Sequence, residues 1–148
     1  MKNKHSLGQN WLKDRTILDL IAEIAATPSN NSSNKKVANI CVEIGPGLGT
    51  LTSSLLKRFD KVIAVEFDQS LAHNLPKSFP GKNLQVVNED ILQFDFSKIT
   101  EPFVAAGNIP YYITTPIIMK LLESEYNIKS ITVMVQKEVG ERLCSGRK

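Results

Sequence analysis

The sequence is poor in the features that would indicate a disulfide scaffold, a zinc protein or a membrane protein. Its two cysteines, Cys41 and Cys144, lie far apart, without the dense spacing of a disulfide framework or the paired spacing of a zinc site. No apolar run approaches the roughly 20 residues that a membrane span requires. The N-terminus is polar and does not resemble a signal peptide. We therefore expect a cytoplasmic protein with reduced thiols, no metal and no membrane partner.

The net charge is also small. It is +3 at neutral pH, which does not by itself indicate a nucleic-acid-binding protein. Basic residues outnumber acidic ones in residues 1–15 and again in residues 137–148, but a solvated tail is the ordinary explanation of such clusters. With 42% hydrophobic and 22% charged residues in 148, the composition is that of one globular domain with a substantial core.

Strand and helix signals alternate along the chain. Apolar residues at helical spacing predict helices over residues 15–26, 48–59, 69–75 and 137–143, and one more through Ile117 and Leu122. Short apolar runs predict strands over residues 37–44, 61–66, 84–87, 103–106 and 130–135. This order predicts an α/β fold with a doubly wound, mostly parallel sheet that helices cover on both faces.

A Gly-rich segment, EIGPGLG over residues 43–49, follows the first predicted strand. Gly45 and Gly47 would let the backbone turn tightly and approach a ligand closely. Glu66 ends the next strand, where a carboxylate can accept hydrogen bonds from both ribose hydroxyls. A turn that only packs strand against helix is the simpler alternative. The pair fits a nicotinamide dinucleotide or S-adenosylmethionine, and the G-x-G-x-G spacing favours S-adenosylmethionine because it lacks the third glycine of the dinucleotide pattern.

Polar residues also close the third and fourth predicted strands. Asp90 is placed to accept a hydrogen bond from an adenine amino group, although an acidic turn or a helix N-cap explains it equally well. The side-chain carbonyl of Asn108 and the backbone carbonyl of Ile109 could accept the two protons of an exocyclic amine, which would expose its lone pair to a methyl sulfonium. Pro110 would stiffen this turn, and Tyr111 would stack on the base. A turn with a packed tyrosine is the alternative.

Four segments, in order, resemble the ribosomal RNA small-subunit adenine N6-dimethyltransferases. They are KHSLGQNWLKD at residues 4–14, VEIGPGLGTLT at 42–52, NIPYYITTP at 108–116 and VQKEVGERL at 135–143. The resemblance implies a Rossmann-like class I methyltransferase that uses S-adenosylmethionine as cofactor. It also implies the transfer of methyl groups to N6 of adenosines in small-subunit ribosomal RNA, with the 30S particle as partner and a monomeric protein.

The resemblance also assigns roles to residues. Residues 1–14 correspond to a segment that folds over the cofactor. The cofactor-binding positions that match the family are Asn10, Leu12, Gly45, Gly47, Glu66, Asp90 and Asn108. The positions that match the catalytic motif around the target base are Asn108, Pro110 and Tyr111. No metal ligand is implied.

Members of this family continue well beyond the position of Lys148, with the last strands of the sheet and a helical RNA-binding domain. The resemblance therefore implies that residues 1–148 form a methyltransferase domain truncated before its last strands. Two other functions remain as alternatives. A truncated cofactor-binding protein would have little or no catalytic activity. A dinucleotide oxidoreductase would explain Gly45 and Glu66 but not the segment from Asn108 to Tyr111.

Overall fold

A computed structural model describes residues 14–27, 37–123 and 126–136. Helices and strands alternate along these residues. The helices are α1 (Arg15–Ala26), α2 (Thr50–Leu56), α3 (Gln69–Asn74) and α4 (Tyr111–Glu123), with short 3₁₀ helices at Leu75–Ser78 and Phe96–Lys98. The strands are β1 (Ile40–Ile44), β2 (Lys61–Val65), β3 (Leu84–Val87), β4 (Phe103–Pro110) and β5 (Ile128–Gln136).

The five strands form one parallel sheet in the order β3-β2-β1-β4-β5. From β1 the chain moves outward through β2 to β3, and it then returns to the other side of β1 for β4 and β5. Strand order therefore reverses between β1 and β4. Open α/β sheets bind their ligands beside the carboxyl ends of the strands at such a switch point.

Helices cover both faces of this sheet. On one face α1 and α2 pack through Leu18 and Leu55 against side chains that include Val62 of β2. On the other face α4 packs through Ile117 and Leu121 on a core to which β1, β2 and β4 all contribute. Strands buried on both faces are the reason that β1 reads as a continuous apolar run with only one charged residue. The predicted doubly wound α/β fold is confirmed.

The predicted element boundaries agree best where a local signal marks them. Helix α1 has the predicted bounds, and Asp14 caps it because Oδ1 accepts hydrogen bonds from the N–H groups of Thr16 (2.9 Å) and Ile17 (3.4 Å). Helix α2 is shorter than predicted. Its N-cap, Gly49, has φ 92°, a left-handed conformation that cannot continue a helix toward the N-terminus. The helix predicted at residues 137–143 lies outside the described residues.

The predicted end of β4 is wrong. The sequence indicated a strand over residues 103–106 and a turn at Asn108-Ile109-Pro110-Tyr111, but β4 runs to Pro110 and α4 begins at the next residue. Pairing with β5 continues over this whole length, as far as Pro110 opposite Gln136. The extension depends on a partner strand distant in sequence, whereas a Gly-Asn pair and a proline are local signals of a turn.

Gly107 is necessary for the close approach of β1 and β4. It lies opposite Ile44 in the sheet, and a Cβ atom added to it would be 2.7 Å from the backbone oxygen of Ile44 and 3.1 Å from the Ile44 Cβ. A contact this short with backbone cannot be relieved by a side-chain rotation. Gly107 therefore sets the separation of the two strands where strand order reverses.

We predict that Gly107→Ala destabilises the fold. Gly107 is not among the glycines with positive φ, so without the contact an alanine would be expected to stabilise the strand by about 0.4–1 kcal/mol. With the contact, overpacking should cost about 1–3 kcal/mol, and more for Gly107→Val. Urea unfolding of the wild type, Gly107→Ala and Gly107→Val measures the sign of the change in free energy of unfolding and its increase with the size of the side chain. A gain in stability for Gly107→Ala would contradict the close approach.

Candidate active site

The predicted site residues that the structure describes lie at or just beyond the carboxyl ends of neighbouring strands, at the same edge of the sheet. Ile44 ends β1 and pairs with Val65 on one side and Gly107 on the other. The residues that follow these three are Gly45, Glu66 and Asn108. Gly45 therefore follows the central strand, with Glu66 at the end of the neighbouring strand on one side and Asn108 near the end of the neighbouring strand on the other. The sheet brings together side chains that are far apart in the sequence.

The Gly-rich turn has the backbone that its glycines predict. Gly45 has φ 65° and Gly47 has φ 60°, a left-handed region in which other residues are strained. A Cβ atom added at either position would meet no atom of the described residues within 4 Å. Within the part of the chain that the structure describes, the backbone of this turn is therefore open to close approach by a ligand.

Glu66 joins the Gly-rich turn to the end of β2. Its Oε1 accepts a hydrogen bond from the N–H of Gly47 (2.9 Å), and its Oε2 accepts one from the N–H of Asp68 (3.0 Å). The backbone N–H of Glu66 donates to the oxygen of Val87, which extends the pairing with β3 by one residue. The side chain is 8% exposed. The carboxylate of Glu66 is therefore in direct contact with the Gly-rich turn.

Two further residues lie in the segments that follow β2 and β3. Phe67 is 74% exposed, so a large apolar side chain stands in solvent directly after Glu66. Asp90 is half-buried in the loop after β3, where Oδ1 accepts a hydrogen bond from the N–H of Leu92 (3.0 Å). This contact is the acidic turn that the sequence left open as an alternative. It uses one of the roughly four acceptor positions of a carboxylate and leaves capacity for a ligand.

The segment from Asn108 to Tyr111 crosses from strand to helix without an intervening turn. Asn108 is half-buried and shares its side of the sheet with Ala106, because alternate residues of a strand face the same way. Ile109 is 1% exposed and lies in the core. Tyr111, the first residue of α4, is 55% exposed. Asn108 and Tyr111 thus lie at the carboxyl end of β4, beside the Gly-rich turn.

Some predicted features are not described by the structure. Asn10, Leu12 and the rest of the segment over residues 1–13 lie outside the described residues. In the described ranges, no group of three or more His, Cys, Asp or Glu side chains could hold a metal ion. No helix within those ranges is long and apolar enough to cross a membrane.

The similarity of this chain to known proteins shows its family. The family model "Ribosomal RNA adenine dimethylase" matches residues 1–148. This chain belongs to the ribosomal RNA adenine dimethylase family. It is 40% identical over 152 aligned residues to "Ribosomal RNA small subunit methyltransferase A" of Alkaliphilus oremlandii, an alignment that covers 98% of this chain and 50% of that protein. The chain spans about half the length of the curated relatives that it matches.

Solved structures agree with this assignment. A 23S rRNA methyltransferase, ErmE, is 32% identical with a TM-score of 0.69 over 89% of this chain and 50% of its own. A dimethyladenosine transferase from Plasmodium falciparum is 33% identical with a TM-score of 0.65 over 87% of this chain and 44% of its own. The predicted resemblance to rRNA adenine dimethyltransferases and the predicted Rossmann-like methyltransferase fold are both confirmed.

A buried carboxyl group lies next to the site of this dimethylase-family chain. Glu43, the fourth residue of β1, is 1% exposed and lies between Ala64 of β2 and Ala106 of β4. Because paired residues of parallel strands point to the same face, two methyl groups flank the carboxyl and leave room for it. The hydroxyl of Thr52 in α2 donates a hydrogen bond to Oε1 of Glu43. The carboxyl thereby ties α2 to the centre of the sheet.

Glu43 is protonated at neutral pH. Burial raises its pKa from 4.5 to about 8, the negative charge of Glu66 adds to this shift, and the Thr52 hydrogen bond opposes it. No separate role was predicted for Glu43, although a charged residue inside a buried apolar strand is a recognisable signal of a structural or functional role. A neutral carboxyl below the Gly-rich turn keeps a second full negative charge away from Glu66.

We predict that Glu43→Gln stabilises the fold increasingly as the pH rises. Between pH 4.5 and about 8 the unfolded carboxyl has lost its proton while the folded one retains it, so the wild type loses stability over this window. A glutamine does not titrate. The free energy of unfolding of the variant should therefore rise relative to that of the wild type by about 1.4 kcal/mol per pH unit across this window. Above the window the difference should stay constant.

Urea unfolding at several pH values measures this difference. Glu101→Gln is the control, because Glu101 is an exposed glutamate just before β4 and its substitution removes one negative charge from the surface. A constant difference between Glu43→Gln and the wild type from pH 4.5 to 8 would contradict a buried, protonated Glu43.

Proposed function

We propose that this chain is the S-adenosylmethionine-binding part of an enzyme that methylates N6 of adenosines in small-subunit ribosomal RNA. The observation that supports this most strongly is the arrangement of three elements at one edge of the sheet, in a chain of this family. The Gly-rich turn lies between Glu66, which it contacts at 2.9 Å, and Asn108. A nucleoside-binding carboxylate and an amine-binding amide would thus stand on opposite sides of one open turn.

The described residues fit S-adenosylmethionine. Each oxygen of Glu66 has accepted one backbone N–H and retains acceptor capacity, so the two oxygens can accept hydrogen bonds from the two vicinal ribose hydroxyls. The exposed ring of Phe67 offers an apolar face for the adenine, and Asp90 can accept from the adenine amino group. Gly45 and Gly47 let the ligand lie close to the backbone. When bound, the cofactor supplies an electrophilic methyl group on its sulfonium.

Asn108, Pro110 and Tyr111 act on the target base. The side-chain oxygen of Asn108 would accept a hydrogen bond from the N6 amino group of the adenosine, which would localise the nitrogen lone pair and make the amine a better nucleophile. Pro110 has no N–H, so no backbone donor of this residue competes with the amine for that oxygen. The exposed ring of Tyr111 stacks on the base. No group in this arrangement has to ionise, and the proton that the amine loses passes to solvent.

The names of the relatives support the choice of substrate. The chain is 40% identical to a protein named for the small ribosomal subunit and 32% identical to one named for 23S rRNA. We therefore favour small-subunit RNA in the 30S particle as substrate. Such a protein would act in the cytoplasm, and we propose that it acts as a monomer. The family match argues against the dinucleotide oxidoreductase considered for the Gly-rich turn.

We predict that Glu66→Ala weakens the binding of S-adenosylmethionine and S-adenosylhomocysteine. Loss of hydrogen bonds to a charged acceptor should cost about 1.5–3 kcal/mol, or roughly 10- to 150-fold in dissociation constant. Isothermal titration calorimetry measures the loss. Glu101→Ala removes an exposed glutamate before β4 and should leave the affinity unchanged. Unchanged affinity in a folded Glu66→Ala protein would contradict the ribose-binding role.

We also predict that Asn108→Ala, in a protein of the relatives' full length, mainly impairs methyl transfer. Removal of one preorganised polar group should reduce the rate about 10²- to 10³-fold at saturating cofactor. Radiolabelled methyl transfer to small-subunit particles measures the rate. Asn127→Ala is the control, because the Asn127 amide donates to the Thr100 carbonyl (2.9 Å) at the amino edge of the sheet. Equal rates for Asn108→Ala and Asn127→Ala would rule out Asn108 as the amine acceptor.

A further inference from the structure

Asn88 connects the ends of β3 and β2 through its side-chain amide. Asn88 directly follows β3, and its Nδ2 donates hydrogen bonds to the backbone oxygens of Glu66 (2.9 Å) and Phe67 (3.1 Å). An amide NH₂ group has two protons, so these two bonds use its full donor capacity. The side chain is exposed, and it makes no contribution to the buried core. Its contacts are therefore directed at one short stretch of backbone.

That stretch carries the two groups that face the proposed nucleoside. The carboxylate of Glu66 is held by the N–H groups of Gly47 and Asp68, and the backbone N–H of Glu66 is held by Val87. The ring of Phe67, which is 74% exposed, has little burial of its own to fix its direction. Asn88 holds the carbonyl groups on both sides of the Phe67 Cα. The orientation of the Phe67 side chain therefore depends on these two hydrogen bonds.

We propose that Asn88 is a positioning residue for the nucleoside half of the cofactor. It fixes the backbone of Glu66 and Phe67, so that the carboxylate and the aromatic ring are presented in the geometry that binds ribose and adenine. Asn88 itself does not touch the ligand. This inference rests on the proposed function, because it requires that Glu66 and Phe67 face a bound nucleoside.

The test is the effect of Asn88 variants on affinity for S-adenosylhomocysteine and for adenosine, measured by isothermal titration calorimetry. Asn88→Ala should weaken the binding of both ligands by the same factor, about tenfold, since adenosine contains the nucleoside half alone. Asn88→Asp should be worse than Asn88→Ala, because a carboxylate of nearly the same shape cannot donate and would face two carbonyl oxygens.

The chain contains a matched control at the other end of β3. Asn83 is also exposed, and its Nδ2 donates to the backbone oxygen of Asp60 (2.9 Å), which precedes β2. Asn83→Ala thus removes a similar amide-to-carbonyl contact between the same two strands at the amino edge of the sheet. It removes one hydrogen bond where Asn88→Ala removes two, so it should lower stability to urea about half as much, and it should leave both affinities unchanged.

The outcomes separate this inference from the proposed function. Failure of the wild type to bind either ligand would overturn the proposed function, and the positioning role with it. A wild type that binds both ligands, together with equal affinities for folded Asn88→Ala and Asn83→Ala, would overturn the positioning role alone. If Asn88→Ala does not fold, the affinities of the isosteric Asn88→Asp variant are the test. Unchanged affinity in that variant would also overturn the positioning role.

Discussion

The hydrogen bond from the Gly47 N–H to Oε1 of Glu66 is the contact on which the geometry of the site depends. It links the turn after the central strand to the end of the neighbouring strand, and its acceptor is only 8% exposed. A bond to a charged acceptor in such surroundings contributes about 1.5–3 kcal/mol. The direction of the N–H depends on the positive φ of Gly47. A residue without access to that conformation would lose the bond and open the turn.

Much of the fold could be predicted because local and long-range preferences agree in it. Helix α1 has both an amphipathic pattern and a capping aspartate, and its predicted bounds are those of the structure. β4 shows the opposite case. Its last residues, Gly107 to Pro110, have the composition of a turn, but pairing with β5 keeps them extended. That pairing joins segments more than twenty residues apart, so no local pattern could reveal it.

The candidate residues of the site could be predicted from the sequence, but the contacts between them could not. Glu66 and the Gly-rich turn were recognisable from their spacing, since both follow strands that end at one edge. The contacts of Glu43 and Asn88 were not recognisable. The environment of Glu43 depends on Ala64 and Ala106 from two other strands, and Asn88 acts on backbone atoms that any residue types would supply. Sequence patterns thus indicate candidate ligand-binding residues more readily than they indicate the contacts that hold those residues in place.

The buried carboxyl of Glu43 couples the folding of this chain to the binding of a proton. Near neutral pH the unfolded carboxyl, with its ordinary pKa of 4.5, is ionised, whereas the folded one, with a pKa of about 8, is protonated. Folding therefore takes up about one proton from solution. The heat of unfolding recorded in a calorimeter then includes the ionisation enthalpy of the buffer that accepts this proton. The same transition would show different apparent enthalpies in phosphate and in Tris.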